Sequence, residues 1–305
     1  MCGFFVLQYC YNTHEPMITL NEYLKEKYGC KVYKLSLSAD VTCPNRDGTL
    51  SDKGCAFCSQ GGSGEFSADR NKSIPEQIAE ARKRVRNKIR NGKYIAYFQS
   101  FSNTYAPVTY LRTIYYEAIA PEDVIVLSIA TRPDCLNDEV LSLLDEINHI
   151  KPVWVEFGLQ TIHEATAERI NRCYPLSAYE DSVRKLREID IDIITHVILG
   201  LPGESEEMML ETVDYAAHSG IQGIKLQLLQ ILKGTAFEEE YKQGLIPVMT
   251  LDEYTALLKK ALRKIPDEVI IHRLTGDGPK SLLIAPKWCA DKKTVLNTLR
   301  KELFS

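Results

Sequence analysis

VIVLSIATRPDCLNDEVLSLLDEINHIKPVWVEFGLQ, residues 124–160, decides the fold. VIVLSIAT (124–131) and VWVEFGLQ (153–160) are near-continuous apolar runs of strand length. Between them, NDEVLSLLDEI (137–147) places apolar residues at helical spacing. Strands that are apolar along most of their length are covered on both faces, as in parallel sheets. A strand–helix–strand unit of this kind joins parallel neighbours by a right-handed crossover.

The same unit repeats in both directions. KVYKLSLS (31–38) and YIAYFQS (94–100) read as strands upstream, with helices predicted over 74–91 and 109–120. Downstream, IITHVILGL (193–201) and IKLQLLQI (224–231) are strands, and VIIHRLT (269–275) is a candidate seventh. Helices are predicted near 163–171, 177–189, 205–219, 251–264 and 291–303. Six or seven units fall short of the eight of a closed barrel, so the expected fold is an α/β, open partial (β/α)6 TIM-like barrel. Thr19 and Glu22 form a capping box for a short N-terminal helix that stops at Gly29. The expected division is an N-terminal segment and helix (1–30), the barrel (31–240) and a C-terminal extension (241–305), with Met17 expected as the natural start. Active residues in such folds sit at the carboxyl ends of the strands.

Composition bounds the function. The 305 residues are 45% hydrophobic and 26% charged, with a net charge of −4, which is globular and lacks a global positive field. MCGFFVLQYC at the start has no basic flank or cleavage site, and no apolar run reaches the ~18 residues of a membrane span. A cytoplasmic protein with no membrane partner is expected, and its nine cysteines are then not a disulfide framework.

Three of those cysteines gather in the loop after the first strand: Cys43, Cys55 and Cys58, around CPNRDGT (43–49) and GCAFC (54–58). Soft thiolates in this pattern suit zinc or an iron–sulfur cluster. Structural zinc takes four protein ligands, and Cys30 lies a strand's length away at the opposite end. Three cysteines leave one iron of a [4Fe–4S] cluster open to another ligand.

The Cys-x-Phe-Cys tail, with Phe57 before the last cysteine, resembles the signature of radical S-adenosylmethionine (SAM) enzymes. Eleven residues separate Cys43 from Cys55, a wider gap than the common Cys-x3-Cys-x2-Cys. That gap, with GGSGEF (61–66), resembles a family related to the Elongator catalytic subunit and to oxygen-independent coproporphyrinogen oxidase. The resemblance implies a [4Fe–4S] cluster on Cys43, Cys55 and Cys58, SAM as cosubstrate, and reductive cleavage of SAM to a 5′-deoxyadenosyl radical. It implies SAM contacts from the backbone of Gln99 and Ser100, from the pair Gln160 and Arg172, from His196 at the ribose, and from Leu199 and Gly200 at the adenine. A lone strand histidine is otherwise an ordinary core residue. Arg132 is a candidate anion anchor. Lys225 and Gln227 point one way, toward the substrate side, and Arg273 and Asp277 are the candidate catalytic residues there.

The resemblance also points to the C5 side chain of a wobble uridine in tRNA, with a reducing donor such as flavodoxin or ferredoxin. RKRVRNKIRNGK (82–93) supplies Arg82, Lys83, Arg84, Arg86, Lys88, Arg90 and Lys93 with no acidic residue, a pattern suited to phosphates. A solvated helix face explains the same run equally well. The rival readings are a radical SAM enzyme acting on a small molecule or cofactor precursor, and a non-catalytic zinc or RNA-binding scaffold.

Overall fold

A computed structural model describes residues 18–62, 64, 66–89, 92–276 and 278–303. Met17, Arg90 and Asp277 lie outside the described residues. In chain order the elements are α1 (Leu20–Tyr28), β1 (Val32–Leu37), α2 (Ile74–Val85), β2 (Lys93–Phe98), α3 (Val108–Ile119) and β3 (Val124–Thr131). Then come α4 (Asp138–Asn148), β4 (Val153–Gln160), α5 (Glu164–Arg169), α6 (Leu176–Glu188), β5 (Asp192–Leu199), α7 (Glu206–His218) and β6 (Gly223–Leu228). The C-terminal part holds β7 (Ile231–Leu232), α8 (Ala236–Lys242), α9 (Leu251–Leu262), β8 (Ile270–Arg273), β9 (Leu283–Ala285) and α10 (Lys292–Leu303).

The main sheet has seven strands in the order β1-β2-β3-β4-β5-β6-β8, parallel throughout. It is the open partial barrel expected, with the candidate seventh strand in place beside β6. The barrel does not close: β1 and β8 are its two edges. A single parallel bridge joins Thr19 to Ile271 at the β8 edge, where Ile271 N donates to the Ile18 carbonyl and one edge position is paired. β7 and β9 form a separate antiparallel pair.

Side chains alternate across each strand. The outward set, including Leu35, Phe98, Leu127, Phe157, Val197 and Leu226, is buried under the helices in one large core. The inward set is layered. At the amino end, Ile95, Val126, Trp154 and Ile194 pack with Leu24 of α1 into an apolar plug. Two residues further along each strand the layer turns polar: Lys34, Tyr97, Ser128, Glu156, His196 and Lys225. Two further again, Gln99, Ala130, Gly158, Ile198 and Gln227 border a cavity at the carboxyl ends.

The basic stretch corrects one expectation. The helix predicted over 74–91 ends at Val85. Arg82, Lys83 and Arg84 occupy its last turn, where cations complement the helix dipole. Arg82 is paired with Asp123 and lies over the Tyr94 ring, whereas Lys83, Arg84, Arg86 and Lys88 are exposed. Lys31 Nζ donates to the Lys88 carbonyl, and Lys93 opens β2. The cluster therefore sits at the amino end of the strands, opposite the cavity.

Candidate active site

The loop from β1 to α2 carries Cys43, Cys55 and Cys58 over the carboxyl ends of the strands, and all three border a cavity of about 240 Å³. Its position is fixed by the short loop after α5. Ala56 N donates to the Ile170 carbonyl at 2.9 Å, and Asn171 Nδ2 donates to the Gly54 carbonyl at 2.7 Å. Arg46 threads the loop from inside, its Nη2 reaching the carbonyls of Cys58 at 2.8 Å and Ser59 at 2.6 Å. A Cβ on Gly54 would lie 2.9 Å from Arg46 Nε, and Gly54 has φ +73°, so glycine is required there on both counts.

Cys55 is half-buried at the cavity wall, and desolvation first, then the neighbouring Cys58, pushes its thiol up to about 12. Loading this site with metal therefore displaces a proton. Arg132 acts in the opposite sense on Cys55. Among the described residues no three His, Cys, Asp or Glu side chains converge on a single ion. Thiolates sharing one zinc sit about 3.8 Å apart, as Zn–S bonds of ~2.3 Å in a tetrahedron dictate. Separate corners of an iron–sulfur cube need wider spacing. Three sulfur donors on one loop facing an open cavity fit such a cluster.

The remaining walls come from the ends of six strands, β2 to β6 and β8. Non-glycine residues with positive φ gather here: Phe101 (59°), Gln160 (68°), Asn171 (55°) and Cys173 (60°). Such backbone strain concentrates at functional sites. At Gln160 a register shift between β4 and β5 accompanies it. The Gln160 amide folds back over Gly158, where a Cβ would meet its Nε2 at 2.5 Å, and its Oε1 is buried without a partner. Tyr174 stands between two guanidiniums, with Arg172 at 4.6 Å and Arg132 at 4.9 Å from the ring centre.

Below the cavity lies the polar layer. Glu156, fully buried, accepts from Lys34 Nζ at 2.6 Å, Ser128 Oγ at 2.8 Å, His196 Nε2 at 2.9 Å, and Lys225 Nζ. Burial alone would raise its carboxyl, but Lys225 and Lys34 overcome this and hold it well below the usual range. Burial, then Lys225, lowers His196 to about 4, against the pull of Glu156. The imidazole is neutral at pH 7, gives its Nε2–H to Glu156 and keeps Nδ1 as an acceptor.

The expected site residues divide as follows. Cys43, Cys55, Phe57, Cys58, Gln99, Gln160, Arg172, His196 and Arg273 share the cavity wall, as does Gln227. Arg172 is 1% exposed, and its donors go to the carbonyls of Leu159 (3.1 Å), Thr161 (2.6 Å) and Tyr174 (3.1 Å) and to Glu164. It braces the end of β4. Arg132 likewise grips Asp134 through two bonds, at 2.9 and 2.7 Å, and the Arg172 carbonyl at 2.9 Å. Ser100 is buried behind the wall, its hydroxyl 2.9 Å from that of Ser67. Leu199 points outward into the helix-covered core, and Gly200 borders a different cavity, near Met249 and Leu257. Tyr97, Glu156 and Tyr174 were not anticipated. Counting two residues back along strands from Gln99 and Gly158 finds Tyr97 and Glu156.

A partial barrel with a three-thiol loop above a cavity at its strand ends defines a cluster-dependent enzyme. The chain belongs to the radical SAM superfamily, whose model matches residues 43–216, and the Radical_SAM C-terminal domain matches residues 221–305. Members bind a [4Fe–4S] cluster and SAM, and these are the cofactors of this chain. It is 46% identical over 292 residues to the uncharacterised protein YtqA of Bacillus subtilis, covering 96% of this chain and 91% of that one. It is 26% identical over 167 residues to the tRNA uridine(34) acetyltransferase of Dehalococcoides mccartyi, covering 52% of this chain and 35% of that one. In fold it resembles the archaeal Methanocaldococcus infernus Elp3, with a TM-score of 0.67 at 15% identity over 89% of this chain and 63% of that one. Among the described residues no helix is long and apolar enough to cross a membrane.

Proposed function

We propose that Cys43, Cys55 and Cys58 ligate the cluster and that the enzyme modifies the C5 side chain of a wobble uridine in tRNA, of the carboxymethylaminomethyl type. The observation that carries the chemistry is the convergence of the three thiols, Gln160 and His196 on one cavity. Cys43, Cys55 and Cys58 would hold the cluster, which when bound and reduced would supply the electron for reductive cleavage of SAM and so the radical chemistry on the substrate. The chain's own residues bind and orient. Gln160 offers its unpartnered Oε1 to a donor on SAM. His196, locked by Glu156, offers Nδ1 to a ribose hydroxyl. Arg172 and Arg132 hold the loops in place. Arg273 faces the substrate, and Asp277, outside the described residues, is the second proposed catalytic residue. The reductant is a small donor of the flavodoxin or ferredoxin kind.

The uridine assignment is supported by the likeness to an enzyme named for tRNA uridine 34. The position of the basic stretch, away from the cavity, favours a second reading, a small molecule or cofactor precursor. Anaerobic incubation with SAM and dithionite should release 5′-deoxyadenosine, and Cys58→Ala should abolish it. Nucleoside mass spectrometry of tRNA treated in the same way separates the substrates. A changed uridine 34 supports the first reading, and unaltered tRNA with continued 5′-deoxyadenosine release supports the second.

A further inference from the structure

Asn45 is a fully buried polar side chain inside the cysteine loop, two residues after Cys43. Its Nδ2 lies 3.4 Å from Cys55 Sγ and 2.5 Å from the Asn171 carbonyl oxygen. A carbonyl only accepts, so the atom facing it is the amide nitrogen; the flipped amide would press two oxygens together. One Nδ2 hydrogen serves Asn171 and the other is directed to the Cys55 sulfur. The Asn171 carbonyl is itself held, because the Asn171 side chain donates to Gly54 O at 2.7 Å and Ser51 Oγ at 3.1 Å. The donor to sulfur is thus set by a tertiary contact from a loop 126 residues distant in sequence.

We propose that Asn45 is a positioning residue that raises the reduction potential of the cluster through its Nδ2–H···Sγ bond to Cys55. The proposal rests on the reading of Cys55 as a ligand. Reduction adds one electron, taking [4Fe–4S]2+ to [4Fe–4S]+, and part of that charge falls on the thiolate sulfurs. A hydrogen bond to sulfur stabilises the more negative form more strongly, which moves the potential upward. Asn45 itself is fully buried, so the bond is little screened on its donor side. Arg132 acts on the same sulfur through space, and substitution at position 45 leaves it in place.

The test is a redox titration of the reconstituted, anaerobic holoprotein with dithionite, followed by electron paramagnetic resonance, with iron content measured separately. Asn45→Leu keeps the volume and removes both donors. Asn45→Ser is a second variant, whose hydroxyl is too short to reach the sulfur. Asn171→Ala loosens the loop but retains the backbone carbonyl that orients Asn45. At a given potential, the ratio of reduced to oxidised cluster should fall about tenfold in Asn45→Leu and Asn45→Ser, which is 59 mV for one electron. Asn171→Ala should stay within about twofold of wild type. Asn45 variants that load iron and titrate within twofold of wild type overturn the proposal. So does failure of both to hold iron, since Asn45 would then be a support only. A wild-type protein that forms no cubane overturns the ligand assignment, and the proposal with it.

Discussion

Replacing Glu156 with Gln is the sharpest test of the polar layer. The carboxylate takes four hydrogen bonds, from Lys34, Ser128, His196 and Lys225. Lys225 is 3% exposed at its side chain and Glu156 is 0% exposed, so neither charge has water to fall back on. In Glu156→Gln the amide keeps one acceptor, but its NH2 group faces the remaining donors. Lys225 and Lys34 lose their shared counter-charge. Stranding a buried charge costs about 3–5 kcal/mol. At ~2 °C per kcal/mol for a domain of this size, the midpoint of thermal unfolding should fall by about 6–10 °C. Glu156→Gln combined with Lys225→Met should recover part of that loss, because the unmatched ammonium goes too. Circular dichroism melts of the apoprotein at pH 7.5 measure both. A single variant melting within 2 °C of wild type, or a double variant no better than the single, would refute a charge-matched barrel floor.

Three further outcomes are expected. Gly158→Ala pushes the Gln160 amide off its seat, because the new Cβ would lie 2.5 Å from Nε2; SAM affinity by equilibrium dialysis should drop about tenfold, on the scale of one hydrogen bond to a charged group, with melting unchanged. His196 has its pKa lowered to about 4 from 6.5 in the folded protein, so the unfolded chain binds a proton that the folded one refuses. Its stabilisation, about 3 kcal/mol, is complete above pH 6.5 and is lost as the pH falls toward 4; melts between pH 7 and 4.5 should decline more steeply in wild type than in His196→Gln, and parallel curves would sink the argument. Reversing Arg84 and Arg86 to Glu should weaken tRNA binding and flatten its salt dependence if that face holds phosphates, while release of 5′-deoxyadenosine from SAM alone stays at the wild-type rate.

The barrel was legible because its outward face is simple. Leu35, Phe98, Phe157 and Val197 meet helices, and helices need only an apolar stripe. The inward face was harder to read. The strands look continuously apolar, yet Lys34, Tyr97, Glu156, His196 and Lys225 interrupt them at one level, and only strand alternation aligns them. Lys34 and Glu156 are 122 residues apart, so no local pattern announces their pairing. The same alternation explains Leu199: His196 and Ile198 face inward, and the next residue must face out. The cysteine loop was readable from its own spacing, but its anchor, Asn171, is a positive-φ residue after a six-residue helix. The end of α2 at Val85 was obscured by a run of good helix formers, whose mutual repulsion the helix dipole offsets only within the last turn.

The place of the basic stretch bears on how any RNA substrate is held. Successive residues rise about 3.3 Å along a strand, so the eight residues of β4 separate its two ends by ~23 Å. Lys88 and Lys93 lie at the lower end and the cysteines above the upper one. A single nucleotide offered to the cavity therefore cannot also touch the basic stretch; only a partner extending over the flank of the barrel reaches both. Contacts there add affinity without touching the reacting base, which is the division of labour between phosphate and base recognition. A small-molecule substrate has no use for that distant surface. The coupling of affinity at one end to chemistry at the other is thus what separates the two readings of this enzyme.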